Sequence, residues 1–238
     1  MRKLFIMGAS GKLVRHIAFS LIKDYELFLQ CNKMCEELEK FLSLAEGGSG
    51  NLGAYLIRHD FMEEGVESLF IKLKSLTSEL NASIIIEPVF DQTSFDEMRE
   101  ELVKRVIYLN LVVPITLIRV LSSFMVSEPS MIVVLVDLTP LRGSRAYEGL
   151  NPSLPTIASS AALHAMIKEL PNYVPSNVKV VGVALDWVNV PSKKLPPGAT
   201  SVAMSVEDVT RFIRGLLEGT SRYSSGTLIV LSRREKAA

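Results

Sequence analysis

Seven short apolar runs alternate with helical patterns along this chain, and this order constrains its fold more than any other feature. The apolar runs are continuous rather than alternating in polarity, which is typical of strands that are buried on both faces of a parallel sheet. They lie at 4–7, 27–29, 54–57, 83–86, 131–136, 178–185 and 227–231. We therefore predict an α/β fold, with a doubly wound parallel sheet of about seven strands, helices on both faces, and a single domain over residues 1–238.

Charge and hydropathy exclude several classes of partner. The chain has 26 Lys and Arg against 26 Asp and Glu, so no net positive charge attracts nucleic acid or an anionic membrane. The longest nearly apolar run, 106–118, contains Asn110 and is shorter than the roughly 20 residues that a membrane helix needs. The first apolar run is too short for a signal sequence. We predict neither a nucleic acid nor a membrane as partner.

The cysteines and histidines give no sign of a metal site. Cys31 and Cys35 are separated by three residues, which does not match the two-residue spacer of redox and zinc motifs. We interpret them as reduced thiols and predict a cytoplasmic location. His16, His59 and His164 are not spaced as a ligand cluster, so no metal is predicted.

Two helical patterns in the middle of the chain suggest an interface between subunits. In residues 98–125 apolar side chains recur at spacings of four and three, and residues 159–170 carry the small residues Ala161, Ala162 and Ala165. One interpretation is that both helices only cover the sheet. The other is that part of the long apolar stripe also contacts a second subunit, which predicts a homo-oligomer through 98–125 and 159–170.

A glycine turn joins the first predicted strand to the first predicted helix. Gly8 and Gly11 match a G-x-x-G pattern, whereas Val14 occupies the position where a third small residue usually stands. A strand, a glycine turn and a helix N-terminus together present backbone N–H groups and a positive dipole end to a phosphate. The residues predicted to contact it are Gly8, Ser10, Gly11, Lys12 and Leu13.

With this turn, five further features resemble the short-chain dehydrogenase/reductase family, in the family's order and over almost the whole chain. Asp60 resembles the acidic residue after strand three that contacts adenine, and Asn110 resembles the asparagine of the family's fourth helix. Residues 157–165 are similar to the fifth-helix run, and 206–209 and 223–227 resemble the last helix and the turn into the last strand. The resemblance implies a Rossmann-like fold, NAD or NADP as cofactor, and oxidoreductase chemistry.

The family's catalytic residues are replaced at the positions that the resemblance assigns to them. The family uses a tyrosine as general acid, a lysine four residues later, and a serine that donates to the substrate oxygen. Here Thr156, Ser160 and Asp137 stand at those three positions. An aliphatic hydroxyl is a far weaker acid than a phenol, and a carboxylate repels the negative charge that develops on a carbonyl oxygen. We therefore predict a catalytically degenerate member.

Two classes of function remain open. In the first, the protein is degenerate and acts as a nucleotide-sensing or scaffolding protein, either alone or as the inactive subunit beside an active relative. In the second, it is an NAD(P)H-dependent oxidoreductase of a carbonyl or alcohol substrate with a relocated general acid. Tyr147 is the candidate for that acid, because it lies in the interval between Asp137 and Thr156.

The signals for a cofactor conflict. Glu87 stands where the family's asparagine-rich turn passes beside the adenosine ribose, and Leu185-Asp186-Trp187 replaces the family's Pro-Gly pair near the nicotinamide. The second strand is followed by no acidic residue to hold a free ribose hydroxyl. Lys12 and Lys33 either contact a phosphate, which favours NADP, or are simply solvated. A small molecule or a dinucleotide is the partner that these residues suggest.

Overall fold

A seven-stranded parallel sheet forms the centre of the protein. The structure is a computed structural model, and it describes residues 1–45, 53–126, 129–142, 152–191, 203–219 and 222–232. The strands of the sheet are β1 (Arg2–Ile6), β2 (Tyr25–Cys31), β3 (Ala54–Arg58), β4 (Ala82–Ile86), β5 (Ser130–Asp137), β6 (Val178–Leu185) and β9 (Leu228–Leu231). Their order in the sheet is β3-β2-β1-β4-β5-β6-β9, and every neighbouring pair is parallel. The predicted α/β class and doubly wound topology are confirmed.

Helices cover both faces of this sheet. They are α1 (Lys12–Leu21), α2 (Cys35–Ala45), α3 (Phe61–Leu76), α4 (Glu100–Ile107), α5 (Val113–Ser122), α6 (Thr139–Arg142), α7 (Leu154–Glu169) and α8 (Val206–Glu218). Helices α1, α2 and α8 pack on one face, and α3, α5 and α7 pack on the other. Each central strand sends alternate side chains into the two clusters, as Val133 and Val134 of β5 do. This double burial explains why the strand runs are continuously apolar.

The predicted helix 98–125 is an α-helix interrupted by one π-helical turn. Helices α4 and α5 are joined by the turn Tyr108–Val112, so that the helical segment runs from Glu100 to Ser122. This helical segment is long and apolar enough to cross a membrane, but half of its most apolar stretch is buried inside the protein. Val106, Val113 and Leu117 are fully buried, which is the pattern of a helix that covers a sheet.

The boundaries of the following segment correct the predictions. Helix α7 begins at Leu154 rather than Ser159, because Pro155 lies in its first turn, where the missing N–H of a proline has no cost. The helix predicted at 159–170 therefore begins five residues earlier than expected. Tyr147 lies outside the described residues. Two-residue strands β7 (Val188–Asn189) and β8 (Met204–Ser205) pair separately.

The two cysteines form a disulfide, contrary to their interpretation as thiols. Cys31 ends β2 and Cys35 begins α2, and their Cα atoms lie 5.6 Å apart, within the range that a disulfide spans. The connecting turn places Met34 at a φ of 61°, and this turn brings the two sulfur atoms together. These cysteines therefore do not support a reducing compartment. The cytoplasmic location stays a prediction.

Candidate ligand-binding cleft

The glycine turn after β1 has the geometry that the sequence predicts for a phosphate-binding loop. Gly8 has a φ of 71°, in the left-handed region, and a Cβ atom added to it would lie 3.1 Å from Cγ2 of Ile86. The Gly11 N–H donates to the Gly8 carbonyl at 2.9 Å, which closes the turn. Gly11 then starts α1 without a side-chain cap. The helix N-terminus thus reaches the carboxyl edge of the sheet, where it favours an anion.

Gln30 holds this turn in place, a role that sequence reasoning missed. Its Oε1 accepts from the Gly8 N–H at 2.8 Å, its Nε2 donates to the His59 carbonyl at 2.8 Å, and its backbone carbonyl accepts from the Ala9 N–H at 2.8 Å. The side chain is buried at 3% exposure. The signal in the sequence was the polar Gln30 directly after the apolar run 27–29. A buried amide needs partners for both its oxygen and its nitrogen.

The remaining residues predicted for the adenosine end lie around this turn. Lys12 is exposed in the first turn of α1, and Lys33 is exposed in the turn that follows β2. The Ser10 carbonyl accepts from an Arg15 guanidinium nitrogen at 3.1 Å. Asp60 follows β3 as predicted, but its carboxylate caps α3 by accepting from the Met62 N–H at 2.9 Å. The predicted contact of Asp60 with adenine stays a prediction.

A cavity of about 210 Å³ opens at the carboxyl ends of β4, β5 and β6. Its walls are mostly aliphatic and include Leu13 at the start of α1, so the cavity lies beside the glycine turn. Its polar and aromatic lining residues are Glu87, Phe90, Asp137, Thr139, Thr156, Asp186 and Trp187. In open α/β sheets ligands bind in the crevice at this edge of the strands. The cavity is therefore the candidate site.

Glu87 is the polar centre of this cavity. Its Oε1 and Oε2 accept from the Ser160 hydroxyl at 2.8 and 2.9 Å, and Oε2 also accepts from the Asp137 N–H at 2.8 Å. Burial raises the pKa of Glu87 to about 8, and the nearby Asp137 charge acts in the same direction, although both hydrogen bonds favour the ionised form. The carboxyl group therefore holds a proton near neutral pH.

Thr156 lines the cavity, but its hydroxyl is already bonded to the loop after β4. Its Oγ1 accepts from the Asp91 N–H at 3.3 Å, lies 3.4 Å from the Asp91 carbonyl, and is 3.1 Å from Oγ of Ser153. Ser160 lies one turn further along α7 and is bonded to Glu87. Thr156 therefore lines the cavity, whereas Ser160 is buried behind the lining residue Glu87. Each hydroxyl is engaged in a hydrogen bond within the protein.

Asn110 acts behind the cavity rather than in its lining. The side chain is fully buried in the π-helical turn, where Nδ2 donates to the Val89 carbonyl at 2.6 Å and Oδ1 accepts from the Val89 N–H at 3.0 Å. This pair of bonds fixes the segment that follows Glu87. Asn110 thus positions the cavity floor, and the residues that line the cavity do not include it.

His164 lies one turn beyond Ser160 and is buried at 5% exposure. Burial lowers its pKa, and the backbone and charge of Asp137 oppose that shift only in part. The ring is therefore neutral at physiological pH. Among the described residues, no group of three or more His, Cys, Asp or Glu side chains is arranged to hold a metal ion.

Comparison with solved structures gives the class of fold. A short-chain dehydrogenase/reductase from Serratia marcescens superimposes with a TM-score of 0.82 at 14% identity, covering 97% of this chain and 96% of that one. A short-chain dehydrogenase from Burkholderia cenocepacia in complex with NADP gives 0.81 at 15%, with 97% and 96% covered. A short-chain glucose/ribitol-type dehydrogenase from Brucella melitensis gives 0.77 at 20%, with 97% and 94% covered.

The chain thus has a Rossmann-like α/β fold that matches the solved structures of short-chain dehydrogenase/reductases. Neither a protein-family profile nor a curated protein sequence matches it. At identities of 20% and below, this similarity shows the fold only, and the activity has to be inferred from the residues of the site.

Proposed function

We propose that this protein is a divergent short-chain dehydrogenase/reductase homologue that binds a nicotinamide dinucleotide and does not perform the family's carbonyl–alcohol chemistry. Its role is then nucleotide sensing or scaffolding. One observation carries the proposal: Ser160, at the lysine position, donates its hydroxyl to Glu87 at 2.8 Å. A carboxyl group therefore lies where the family mechanism needs an ammonium group to hold the ribose and to lower the pKa of a phenol.

Dinucleotide binding is supported at the phosphate end of the cleft. The left-handed Gly8, the closed turn to Gly11 and the start of α1 form a cradle that a Cβ atom at Gly8 would partly fill. These residues fit a pyrophosphate, whose charge the N-terminus of α1 stabilises. A bound nicotinamide supplies a hydride in this family, and a solved neighbour of the same fold is a complex with NADP.

The opposite end of the cleft does not fit the family's reaction. When a carbonyl accepts a hydride, negative charge develops on its oxygen and needs a proton donor or a hydrogen-bond donor. The carboxyl groups of Glu87 and Asp137 line the cavity there, and the Thr156 hydroxyl is bonded to the Asp91 backbone. Losing a positioned general acid costs roughly 10² to 10⁴ in rate.

A binding experiment and a turnover experiment test the two halves of this proposal. We expect NADP⁺, NADPH, NAD⁺ or NADH to raise the melting temperature, since a ligand at about 100 times its Kd stabilises by about 2.7 kcal/mol. Substituting Lys12→Gln should weaken any preference for the phosphorylated forms. NADPH should not be consumed with a panel of aldehydes and ketones. No shift with any dinucleotide contradicts the binding half, and steady NADPH consumption contradicts the degenerate half.

A second candidate function is an oxidoreductase with a relocated general acid. Tyr147 is the sequence candidate, and it lies outside the described residues. Among the described residues the cavity offers Glu87, whose raised pKa of about 8 keeps a proton available near neutral pH. Any turnover that Glu87→Gln abolishes and Tyr147→Phe leaves intact would assign the acid to Glu87, and the reverse pattern would assign it to Tyr147.

Self-association through the two predicted helices stays a proposal. Val112, between α4 and α5, is exposed at 42%, and Ala161 and Ala165 of the predicted helix 159–170 are also exposed, so apolar surface is available on both. Sedimentation velocity at micromolar concentration should show a species larger than a monomer, and Val112→Asp should reduce it. A monomer over the whole concentration range would contradict this proposal.

A further inference from the structure

The cavity combines apolar walls, aromatic rings and carboxyl groups. Most of its lining is aliphatic, and the rings of Phe90 and Trp187 meet edge to face with their centroids 6.0 Å apart. Its volume of about 210 Å³ corresponds to roughly seven water molecules at about 30 Å³ each in the liquid. One substituted ring or a compact aliphatic group fills this space. A whole dinucleotide does not, so only one of its ends enters.

The charge of the cavity has one sign among the described residues. Glu87, Asp137 and Asp186 line it, and none of the other described lining residues is a Lys, Arg or His. Glu87 and Asp137 are in direct contact, because the Asp137 N–H donates to Oε2 of Glu87. Their mutual repulsion contributes to the raised pKa of Glu87. Two adjacent carboxyl groups in an apolar cavity are costly unless a positive charge compensates them.

A cation in the cavity would relieve this cost in two ways. It would attract the Asp137 side chain and stabilise the ionised form of Glu87 at short range, and such attraction is stronger where the groups are shielded from water. It would also lie near the rings of Phe90 and Trp187, and aromatic rings attract cations through their ring electrons. A neutral carbonyl substrate gains neither interaction.

We propose that this cavity is a binding site for an organic cation with a compact apolar or aromatic body. The proposal rests on the proposed function, and it names the ligand chemistry of the same cleft. Two sources supply such a group: the positively charged nicotinamide ring of an oxidised dinucleotide, and a free organic ammonium compound. In the first case the protein distinguishes oxidised from reduced dinucleotide, because the reduced ring is neutral.

A matched pair of small probes tests the charge preference directly. The cation is nicotinamide methylated on its ring nitrogen, and the neutral control is meta-toluamide, in which carbon replaces the charged nitrogen at almost the same shape. Trp187 is the single tryptophan of the chain and lines the cavity, so its fluorescence reports binding at this site. We expect the cation to bind at least about tenfold more tightly, a difference of about 1.4 kcal/mol. Equal binding, or binding of neither probe, overturns the proposal.

Substitutions of the two carboxyl groups test which residues carry the preference. Glu87→Gln keeps an oxygen to accept from Asp137 and an amide to donate to Ser160, and Asp137→Asn keeps an acceptor for the Thr139 N–H. Each should weaken the cation about tenfold, about 1.4 kcal/mol, and leave meta-toluamide unchanged. The matched control is Glu63→Gln, at an exposed position of α3. If both variants bind the cation as wild type does, the carboxyl groups do not select it.

Two further ligands separate the sources, and their results are distinct from a failure of the proposed function. Tighter binding of NADP⁺ than of NADPH, with the difference lost in Glu87→Gln, assigns the site to the oxidised nicotinamide ring. Binding of benzyltrimethylammonium without any binding of dinucleotides supports the cation site and contradicts the dinucleotide half of the proposed function. Binding of both dinucleotides with equal affinity, together with no response to either cation, leaves the proposed function standing and overturns the cation site.

Discussion

The Ser160 hydroxyl lies 2.8 Å from Oε1 of Glu87, across 73 residues of sequence. This contact joins the middle of α7 to the end of β4 and places a carboxyl group beside the position that the family gives to a lysine. The positive charge that the family's reaction uses at this point is therefore replaced by a carboxyl group, whose pKa is raised to about 8 mainly by its burial.

The pH dependence of stability should show the partly buried carboxyl group of Glu87. Folding raises the pKa of Glu87 from 4.5 to about 8, so between these values the folded state holds a proton that the unfolded state has lost. The contribution of Glu87 to stability is complete below pH 4.5 and is lost as pH rises towards 8. The free energy of unfolding should fall by up to about 1.4 kcal/mol per pH unit.

Urea denaturation of wild type and Glu87→Gln at a series of pH values measures this effect. The difference between the two curves isolates Glu87, because the other titrating groups are shared. A difference that does not change between pH 5 and 8 would show that Glu87 titrates normally, contrary to its burial.

Cation binding should strengthen with pH over the same range. A permanently charged ligand binds the ionised form of Glu87, which is the minor form below about pH 8, so its affinity should rise up to about tenfold per pH unit and then level off. Asp137 of β5 and Ser160 of α7 face Glu87 directly. Burial lowers the pKa of the nearby His164, so this imidazole is neutral in the upper part of the range. Fluorescence titration with ring-methylated nicotinamide measures the slope, which should vanish in Glu87→Gln.

The glycine turn should tolerate no side chain at Gly8. Gly8→Ala places a Cβ in the left-handed region and 3.1 Å from Ile86 Cγ2, so we expect a loss of about 1–2 kcal/mol from the conformation alone. Nucleotide binding should weaken in parallel. The control is Gly215→Ala in α8, because a Cβ atom at Gly215 meets no atom within 4 Å. This substitution should stabilise the protein by about 0.4–1 kcal/mol. Equal melting temperatures for the two variants would contradict this account.

Asn110 should matter for stability although it contacts no ligand. Asn110→Ala removes both bonds to Val89 and leaves its partly buried N–H and carbonyl without these partners, which costs up to about 1–3 kcal/mol per unsatisfied group. Asn172→Ala, at an exposed position, should change stability by less than about 0.5 kcal/mol. Chemical denaturation measures the free energy of unfolding of both variants. If Asn110→Ala lowers it as little as the control does, the contacts with Val89 do not stabilise the fold.

The sheet and its helices were predictable because strands that are buried on both faces of a sheet require continuous apolar runs in the sequence. The positions of Thr156, Ser160 and Asp137 at the cleft followed from the family resemblance, and the contacts of all three lie at the predicted edge of the sheet. The start of α7 was missed because Pro155 reads as a loop residue, although a proline also fits the first turn of a helix.

Other features of the structure depend on contacts between distant segments, which a local sequence pattern does not reveal. The pairing of Glu87 with Ser160 requires two segments to meet in space, and the amide of Gln30 finds its partners at the glycine turn and at His59. The disulfide was missed because the spacing of Cys31 and Cys35 matches no known motif, and it forms only when a strand end and a helix start lie next to each other.

Hydride transfer itself is the most direct test of the central claim that this cleft lacks the family's chemistry. Wild-type protein in excess over NADPH deuterated at the transferred position would be incubated with a panel of carbonyl compounds, and the products analysed by mass spectrometry. We predict no deuterium in any alcohol product, with wild type indistinguishable from Glu87→Gln. Deuterium transfer by wild type that disappears in Glu87→Gln would contradict the claim and make Glu87 the proton donor of a working enzyme.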